Sequence, residues 1–204
     1  MNKNIYNFFG DYIYHGNDNF TLTKQEQDIL LNLDIVDNTN RGSNLVSTSM
    51  NIFKDKGLKR IEEYFYKKID YYFKEVFGIS NEFLLTNNWI TINKKDGYHI
   101  NHRHRNSIVS IVYYPQAENC MFSVGKEGTN LELNTNLKTD INKETPYNIP
   151  SKDFILKNND VIIFPSWVLH SGSNPTDQDK ILISSNTFFK GQLGNEYLAT
   201  ELHL

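Results

Sequence analysis

The apolar positions of this chain change their period near residue 82: before it they recur every third or fourth residue, after it every second. In the first part, Thr23-Lys24-Gln25-Glu26 has the spacing of a capping box, and Ile29, Leu30 and Leu33 follow at helical intervals. A longer helix is predicted over 57–77. Leu58, Ile61, Phe65, Ile69, Phe73 and Val76 form one stripe, with Glu62, Glu63, Lys67, Lys68 and Lys74 off it. Gly78 stands where a helix end favours a left-handed residue. These read as packing helices without chemistry of their own.

Beyond residue 82 the alternation predicts strands over 83–93, 98–102, 108–114, 121–124, 153–156, 161–164 and 180–188. Turn residues separate them, as in Lys95-Asp96-Gly97, Asn158-Asn159-Asp160 and Asn174-Pro175-Thr176-Asp177. The expected fold class is mixed α+β, mainly β: a double-stranded β-helix, or jelly roll, with N-terminal flanking helices. One domain is expected over 1–204, with a mostly helical lead-in (1–80), a jelly-roll core (81–194) and a tail (195–204). The stretch 125–150 is polar and strand-poor, and reads as an insertion that lies over the barrel mouth as a lid.

Composition narrows the function classes. A net charge of −3 and a pI of about 6.1 give no general attraction to nucleic acid or to an anionic membrane. No apolar run approaches the ~20 residues of a membrane helix, and the first six residues lack the apolar core of a signal peptide. The single Cys120 excludes an internal disulfide, so a reducing cytoplasm is expected, that of a host if the chain is phage-encoded. Heavy use of Asn, Lys, Ile and Tyr speaks of A/T-rich coding, not of chemistry.

The histidines carry the chemical signal. Three lie in His99-Ile100-Asn101-His102-Arg103-His104, and His170 follows a buried strand and the turn Ser166-Trp167. Residues two apart on a strand share a face, so His102 and His104 can grip one ion. A distal imidazole, His170, would close a facial set and leave positions open for substrate and oxygen. The bland alternatives are a cationic loop, His-Arg-His-Arg, that holds a phosphate or is solvated, and a satisfied core His170. Arg103 alternates with the two histidines and is expected to point opposite them, where it could face substrate without disturbing the metal. On the last strand Lys180, Ser184 and Asn186 share a face opposite Ile181 and Ile183. A lysine inside a barrel needs an anion, and a dicarboxylic acid supplies one.

From about Trp89 to Gly194 the chain resembles the 2-oxoglutarate/Fe(II) oxygenases of bacteria and T4-like cyanophages, distant relatives of prolyl 4-hydroxylases. The matching pieces are Trp89, His102-Arg103-His104-Arg105, Ser110-Ile111-Val112-Tyr113-Tyr114, Phe164-Pro165 with His170, and Lys180 with Ser184-Ser185-Asn186. The run from Asn186 to Gly194 is similar to the phage members. The resemblance implies Fe(II) held by His102, His104 and His170, with 2-oxoglutarate and O2 as cosubstrates. Lys180, in the family's arginine position, would pair with the distal carboxylate of 2-oxoglutarate, aided by Tyr114. Ser184 and Asn186 complete the expected cosubstrate-facing set. The implied reaction hydroxylates a C–H bond and releases succinate and CO2.

The chain departs from the pattern. His104 replaces the carboxylate of the wider superfamily, which leaves the metal more positive; Arg105 replaces a proline, Ile111 a glycine and Lys180 an arginine. His99 is a spare imidazole, expected outside the ligand set. A rival reading is a cupin-type three-His metal dioxygenase, since Pro165 to Asn174 fits the second cupin motif except at Trp167. Against it, Asn106, Ser107 and Ile108 offer no acidic residue after the His pair. A rival of another class is a non-catalytic jelly roll, a binding or virion-associated protein. Protein side chain, nucleobase and small metabolite all stand as primary substrates.

Overall fold

Strands form where the period-two pattern predicts them, each within two residues of its expected ends. The computed structural model describes residues 5–8, 10–125, 140, 142, 144–145, 148–194, 197 and 202–203. In chain order these residues form β1 (Ile5–Phe8), β2 (Asp11–Asn17), α1 (Lys24–Leu31), β3 (Ile35–Asp37), β4 (Gly42–Ser43), β5 (Leu45–Ser47) and α2 (Lys59–Tyr72). There follow β6 (Phe83–Asn93), β7 (Tyr98–His102), β8 (Val109–Gln116), β9 (Met121–Gly125), β10 (Ser151–Ile155) and β11 (Asp160–Pro165). The last are β12 (Leu169–Ser173), β13 (Lys180–Phe189), β14 (Gln192–Leu193) and β15 (Leu202–His203).

Eight strands form one sheet in the order β1-β2-β11-β8-β13-β6-β5-β3, and five a second in the order β10-β9-β12-β7-β4. Side-chain parity explains how they stack. On β8 and β11, Val109, Ile111, Tyr113, Val161 and Ile163 join a core with Ile61, Phe65, Ile69 and Tyr72 of α2. Their alternates Val112, Tyr114, Ile162 and Phe164 pack with Phe122 and Val124 of β9 and Phe154 of β10. The central strands are thus apolar on both faces because helix covers one and the second sheet the other. The result is the jelly roll expected, with flanking helices.

Two expectations need correction. The lead-in is not mostly helical, for it also supplies β1 to β5. β2 pairs with β11 and β5 with β6, so the first 50 residues extend the large sheet on both sides. These short strands carry little alternation; β2, β4 and β5 are completed by partners about 45 to 150 residues away, and β1 and β3 pair onto β2 and β5. On β2 the partner is held by Asp160, whose carboxylate accepts from Asn17 Nδ2 (2.9 Å) and meets His15 Nε2 (2.8 Å). The predicted helix over 57–77 is also divided: a 3-10 turn at Lys56–Leu58, then α2, then a π turn at Phe73–Phe77. Consecutive residues on an α-helix point about 100° apart. The wider turn coincides with two adjacent rings, Tyr72 and Phe73, that both enter the core. Gly78 then closes the helix at φ 67°, as its position suggests. Of the expected lid over 125–150, residues 126–139, 141, 143 and 146–147 lie outside the described residues, as does most of the tail.

Candidate metal centre

β7 and β12 lie side by side in the smaller sheet, and His170 stands directly opposite His102 in their register. The stretch around His170, expected to be a turn, is therefore a strand. Conversely, β7 ends at His102, and His104 lies one step past it. Its backbone N–H donates to Ser166 O (2.9 Å), which brings its ring to the same side as His102. The three histidines offer ring nitrogens that all lie within 4.8 Å of one another, the arrangement of a single divalent ion's ligands. His102 Nε2 and His104 Nε2 are 3.2 Å apart. Two bonds of about 2.1 Å to one ion span that distance at nearly a right angle.

Each of these rings has its other nitrogen occupied. Nδ1 of His102 donates to Ile100 O (2.8 Å), and Nδ1 of His170 to Val168 O (2.9 Å). Nδ1 of His104 donates to Asn186 Oδ1 (2.6 Å), with Ser110 Oγ at 2.8 Å. A fixed acceptor at Nδ1 selects the tautomer whose bare lone pair is on Nε2, the usual device for orienting a ligating imidazole. Burial pushes all three rings toward the neutral form, His104 to a pKa of about 4, reinforced by the neighbouring His102. Two facing lone pairs repel each other unless a cation sits between them. These histidines are neutral at pH 7, so any positive charge of the His-Arg-His-Arg loop is carried by its arginines.

His99 does not join the cluster. Its ring stacks on His102 (4.3 Å, 16°), and burial, followed by the neighbouring His102, drives its pKa to about 3.

Behind the histidines runs a narrow inner pocket lined by Trp89, Thr91, Asn93, Tyr114, Lys180 and Ser184 among others. Lys180 is 1% exposed and has no carboxylate within ion-pair reach among the described residues. Its Nζ donates to Met121 O (2.8 Å) and Ser173 O (3.3 Å) and sits 5.5 Å from the centre of the Tyr114 ring. Burial lowers its pKa to about 8. Opposite it on β6, Thr91 Oγ1 and Asn93 Oδ1 are buried and make no hydrogen bond. A buried unpaired hydroxyl costs about 1–3 kcal/mol, so the buried ammonium and the free Thr91 hydroxyl together call for an anionic acceptor, while Asn93 Oδ1 is itself an acceptor. The distal carboxylate of a 2-oxo dicarboxylic acid fits that donor set.

The expected residues therefore divide. Lys180 and Ser184 line the inner pocket, as the parity of β13 predicts, and Tyr114 of β8 lines it too. Asn186 lies behind His104, its amide oxygen engaged by the imidazole and by Ser110 Oγ (3.0 Å). Arg103, expected opposite the two histidines and toward substrate, stands on the same cavity as they do. Past the end of β7 the alternation lapses, and Arg103, with Nε donating to Trp167 O (3.0 Å), lines the outer cavity that the histidines also line. Thr91, Asn93 and Gly172 were missed. The signal for the first two was in plain view: Trp89, Thr91 and Asn93 alternate with Ile90 and Ile92, so β6 has one face of polar and aromatic residues. Gly172 is needed for close approach, since a Cβ there would stand 2.9 Å from Lys180 Nζ and 3.2 Å from Met121 O. Asn174, last residue of the cupin-like run, is fully buried and staples a turn through Asn93 O, Lys94 O and Gln178 O.

Residues 87–186 match the family described as "Putative 2OG-Fe(II) oxygenase". That span contains the three clustered histidines, Lys180, Tyr114 and Asn186. No curated protein matches the chain. Among solved structures, the non-heme alpha-ketoglutarate dependent epimerase SnoN from nogalamycin biosynthesis is similar, with TM-score 0.61 and 10% identity over 91% of this chain and 83% of that one. A Pseudomonas putida prolyl-4-hydroxylase gives TM-score 0.51 and 9% identity over 87% and 92% of the two chains. HygX from Streptomyces hygroscopicus, solved with nickel and 2-oxoglutarate bound, gives 0.51 and 13% over 86% and 82%. At such identities the likeness is one of fold. Residues 87–186, just under half of the chain, are thus similar to a family of oxidoreductases whose chemistry depends on Fe(II), 2-oxoglutarate and O2.

Proposed function

We propose that this protein is a hydroxylase in which His102, His104 and His170 hold one Fe(II) and Lys180 receives the distal carboxylate of 2-oxoglutarate. The observation that carries the reading is the shared tautomer of the cluster: three Nδ1 atoms tied to fixed acceptors, with the remaining nitrogens converging beside a buried, anion-free ammonium. The metal, when bound, supplies the activation of oxygen that couples decarboxylation of 2-oxoglutarate to C–H oxidation. In the balanced reaction R–H, 2-oxoglutarate and O2 give R–OH, succinate and CO2. The chain's part is to orient and to exclude water. Asn186 and Ser110 hold the ring of His104, Phe122 and Phe164 wall His170 on its apolar side, and Thr91 donates to the same carboxylate as Lys180. The phage affinity rests on the motif of residues 186–194 alone.

Neither rival is favoured. The cupin reading has no use for a buried lysine beside the histidines, and it spends Asn174 on a turn. The binding-protein reading leaves the Nε2 lone pairs facing one another without purpose. The test is anaerobic Fe(II) loading, followed by oxygen and 2-oxoglutarate. One iron per chain and slow succinate release are expected; oxidation of an organic substrate with no 2-oxoglutarate consumed would overturn the reading.

Two smaller predictions follow from Lys180. Its ammonium is charged below pH 8 and loses its proton above it, since burial lowers its pKa and Cys120, itself raised by burial, opposes that only in part. Affinity for 2-oxoglutarate is therefore expected to be flat from pH 6.5 to about 8 and then to fall roughly tenfold per pH unit. Titrations of 2-oxoglutarate across that range check it, and a flat profile to pH 9.5 would remove Lys180 from the cosubstrate. Gly172→Ala displaces the ammonium and should raise the half-saturating 2-oxoglutarate concentration about tenfold or more, with iron stoichiometry unchanged.

A further inference from the structure

The chain has four arginines and two tryptophans, and three of those arginines and both tryptophans line one cavity above the histidine cluster. The cavity, about 950 Å³, is lined by Arg41, Arg103, Arg105, Trp89 and Trp167, and it shares Trp89, His99, His102 and His104 with the inner pocket. No Asp or Glu is among its lining residues, and no lysine either. The fourth arginine, Arg60, is committed elsewhere, to Glu26. The concentration is thus local, in a chain whose net charge is −3.

These guanidinium groups are available. Arg41 and Arg105 make no side-chain hydrogen bond or ion pair among the described residues. Arg103 uses only Nε, on Trp167 O, and keeps its terminal nitrogens. Arg41 is carried to the site by backbone: Ile100 N–H donates to Arg41 O (2.9 Å), and β4, which follows it, pairs with β7. Its charge reaches the rings of His99, His102 and His104. Like charges gathered round one cavity repel, and an anion relieves that repulsion. A planar guanidinium fork matches the two oxygens of a carboxylate or phosphate, where a lysine offers a point charge. Trp167 is half exposed, its ring stacked on Phe77 (6.4 Å, 15°) and its Nε1 donating to Asp11 Oδ1 (2.9 Å), so its position is fixed.

We propose that the primary substrate is a small anion, a phosphate monoester or a carboxylate, with an aromatic or apolar body that lies between Trp89 and Trp167. The arginines would hold the anionic group and so set which C–H faces the cluster. This deepens the oxygenase reading and rests on it for the word substrate, but its test needs neither iron nor turnover.

Because both tryptophans of the chain line the cavity, intrinsic fluorescence reports its occupancy directly. The intact, metal-free protein is titrated with phenyl phosphate and hippurate and with their neutral counterparts, phenol and hippuramide. At least one anion is expected to quench saturably and to bind tenfold or more tightly than its neutral partner, with the advantage shrinking at high salt. Which anion wins tells phosphate from carboxylate. Arg41→Gln and Arg105→Gln should each weaken the anion about tenfold and leave the neutral compounds unchanged, while circular dichroism and the thermal midpoint report that the fold is kept. Saturable binding of neither anion, equal affinity of the neutral compounds, or full affinity in both variants would overturn the proposal. So would displacement of the anion by 2-oxoglutarate, which would assign it to the Lys180 pocket. Anion binding that persists where succinate release fails would sink the oxygenase reading and leave the anion site standing.

Discussion

His104→Ala is expected to abolish both stoichiometric Fe(II) and succinate release, whereas His99→Ala keeps them. A metal held through four protein ligands carries about 10–16 kcal/mol, so each ligand accounts for about 3 kcal/mol or more, and its loss weakens the metal at least about a hundredfold. His104 is the informative position because it stands where the wider superfamily has a carboxylate. Its ring is oriented by Asn186 Oδ1 at 2.6 Å and Ser110 Oγ at 2.8 Å. Asn186→Ala should then give an intermediate result, a loss of about 10–100-fold in metal affinity, since the imidazole stays but loses its orienting acceptor. Anaerobic iron titration, with thermal unfolding to confirm that each variant folds, measures all three. Iron and turnover intact in His104→Ala but lost in His99→Ala would overturn the ligand assignment.

Lys180→Ala is expected to raise the half-saturating 2-oxoglutarate concentration by two to three orders of magnitude and to leave iron stoichiometry unchanged. The ammonium is 1% exposed, and among the described residues it donates to the backbone oxygens of Met121 and Ser173. A carboxylate bound beside it is desolvated, so removing the ammonium strands a buried charge at a cost of about 3–5 kcal/mol. Tyr114→Phe and Thr91→Val should act in the same direction but more mildly, each removing a single hydroxyl worth about 1 kcal/mol. Lys180→Met, which keeps the stem, separates charge from packing. An unchanged half-saturation in both Lys180 variants would place the distal carboxylate elsewhere or exclude 2-oxoglutarate as cosubstrate.

The local patterns were legible in the sequence to the extent that local rules produced them. Strand parity sorted β8 into a helix-facing set and an interior set, and on β13 it put Lys180 and Ser184 on the pocket side. The capping box at Thr23 and the glycine at 78 marked helix ends because capping needs only neighbours in the chain. The pair His102 and His104 with a distal His170 was visible as a set, for residue type and spacing alone suggest it. The same alternation on β6 held Thr91 and Asn93, whose polar side chains mark a pocket only once Lys180 of β13 is beside them.

What no local pattern could supply was the company each residue keeps. Parity set Arg103 opposite the histidines, yet it lines the same outer cavity, because one residue beyond β7 alternation ends with the ladder. Nothing near Arg41 in the chain hints at a site; it arrives there because β4 pairs with β7, more than 50 residues on. β2, β4 and β5 are completed by distant partners, and Gly172 matters because Lys180 passes over it. The sequence by itself determined the periodicities, the helix ends and the ligand-type residues, all set by contacts within a few positions. The tertiary structure decided the tautomers, the unpaired ammonium and the gathering of three arginines over the histidines, because burial and pairing are properties of groups brought together from remote parts of the chain.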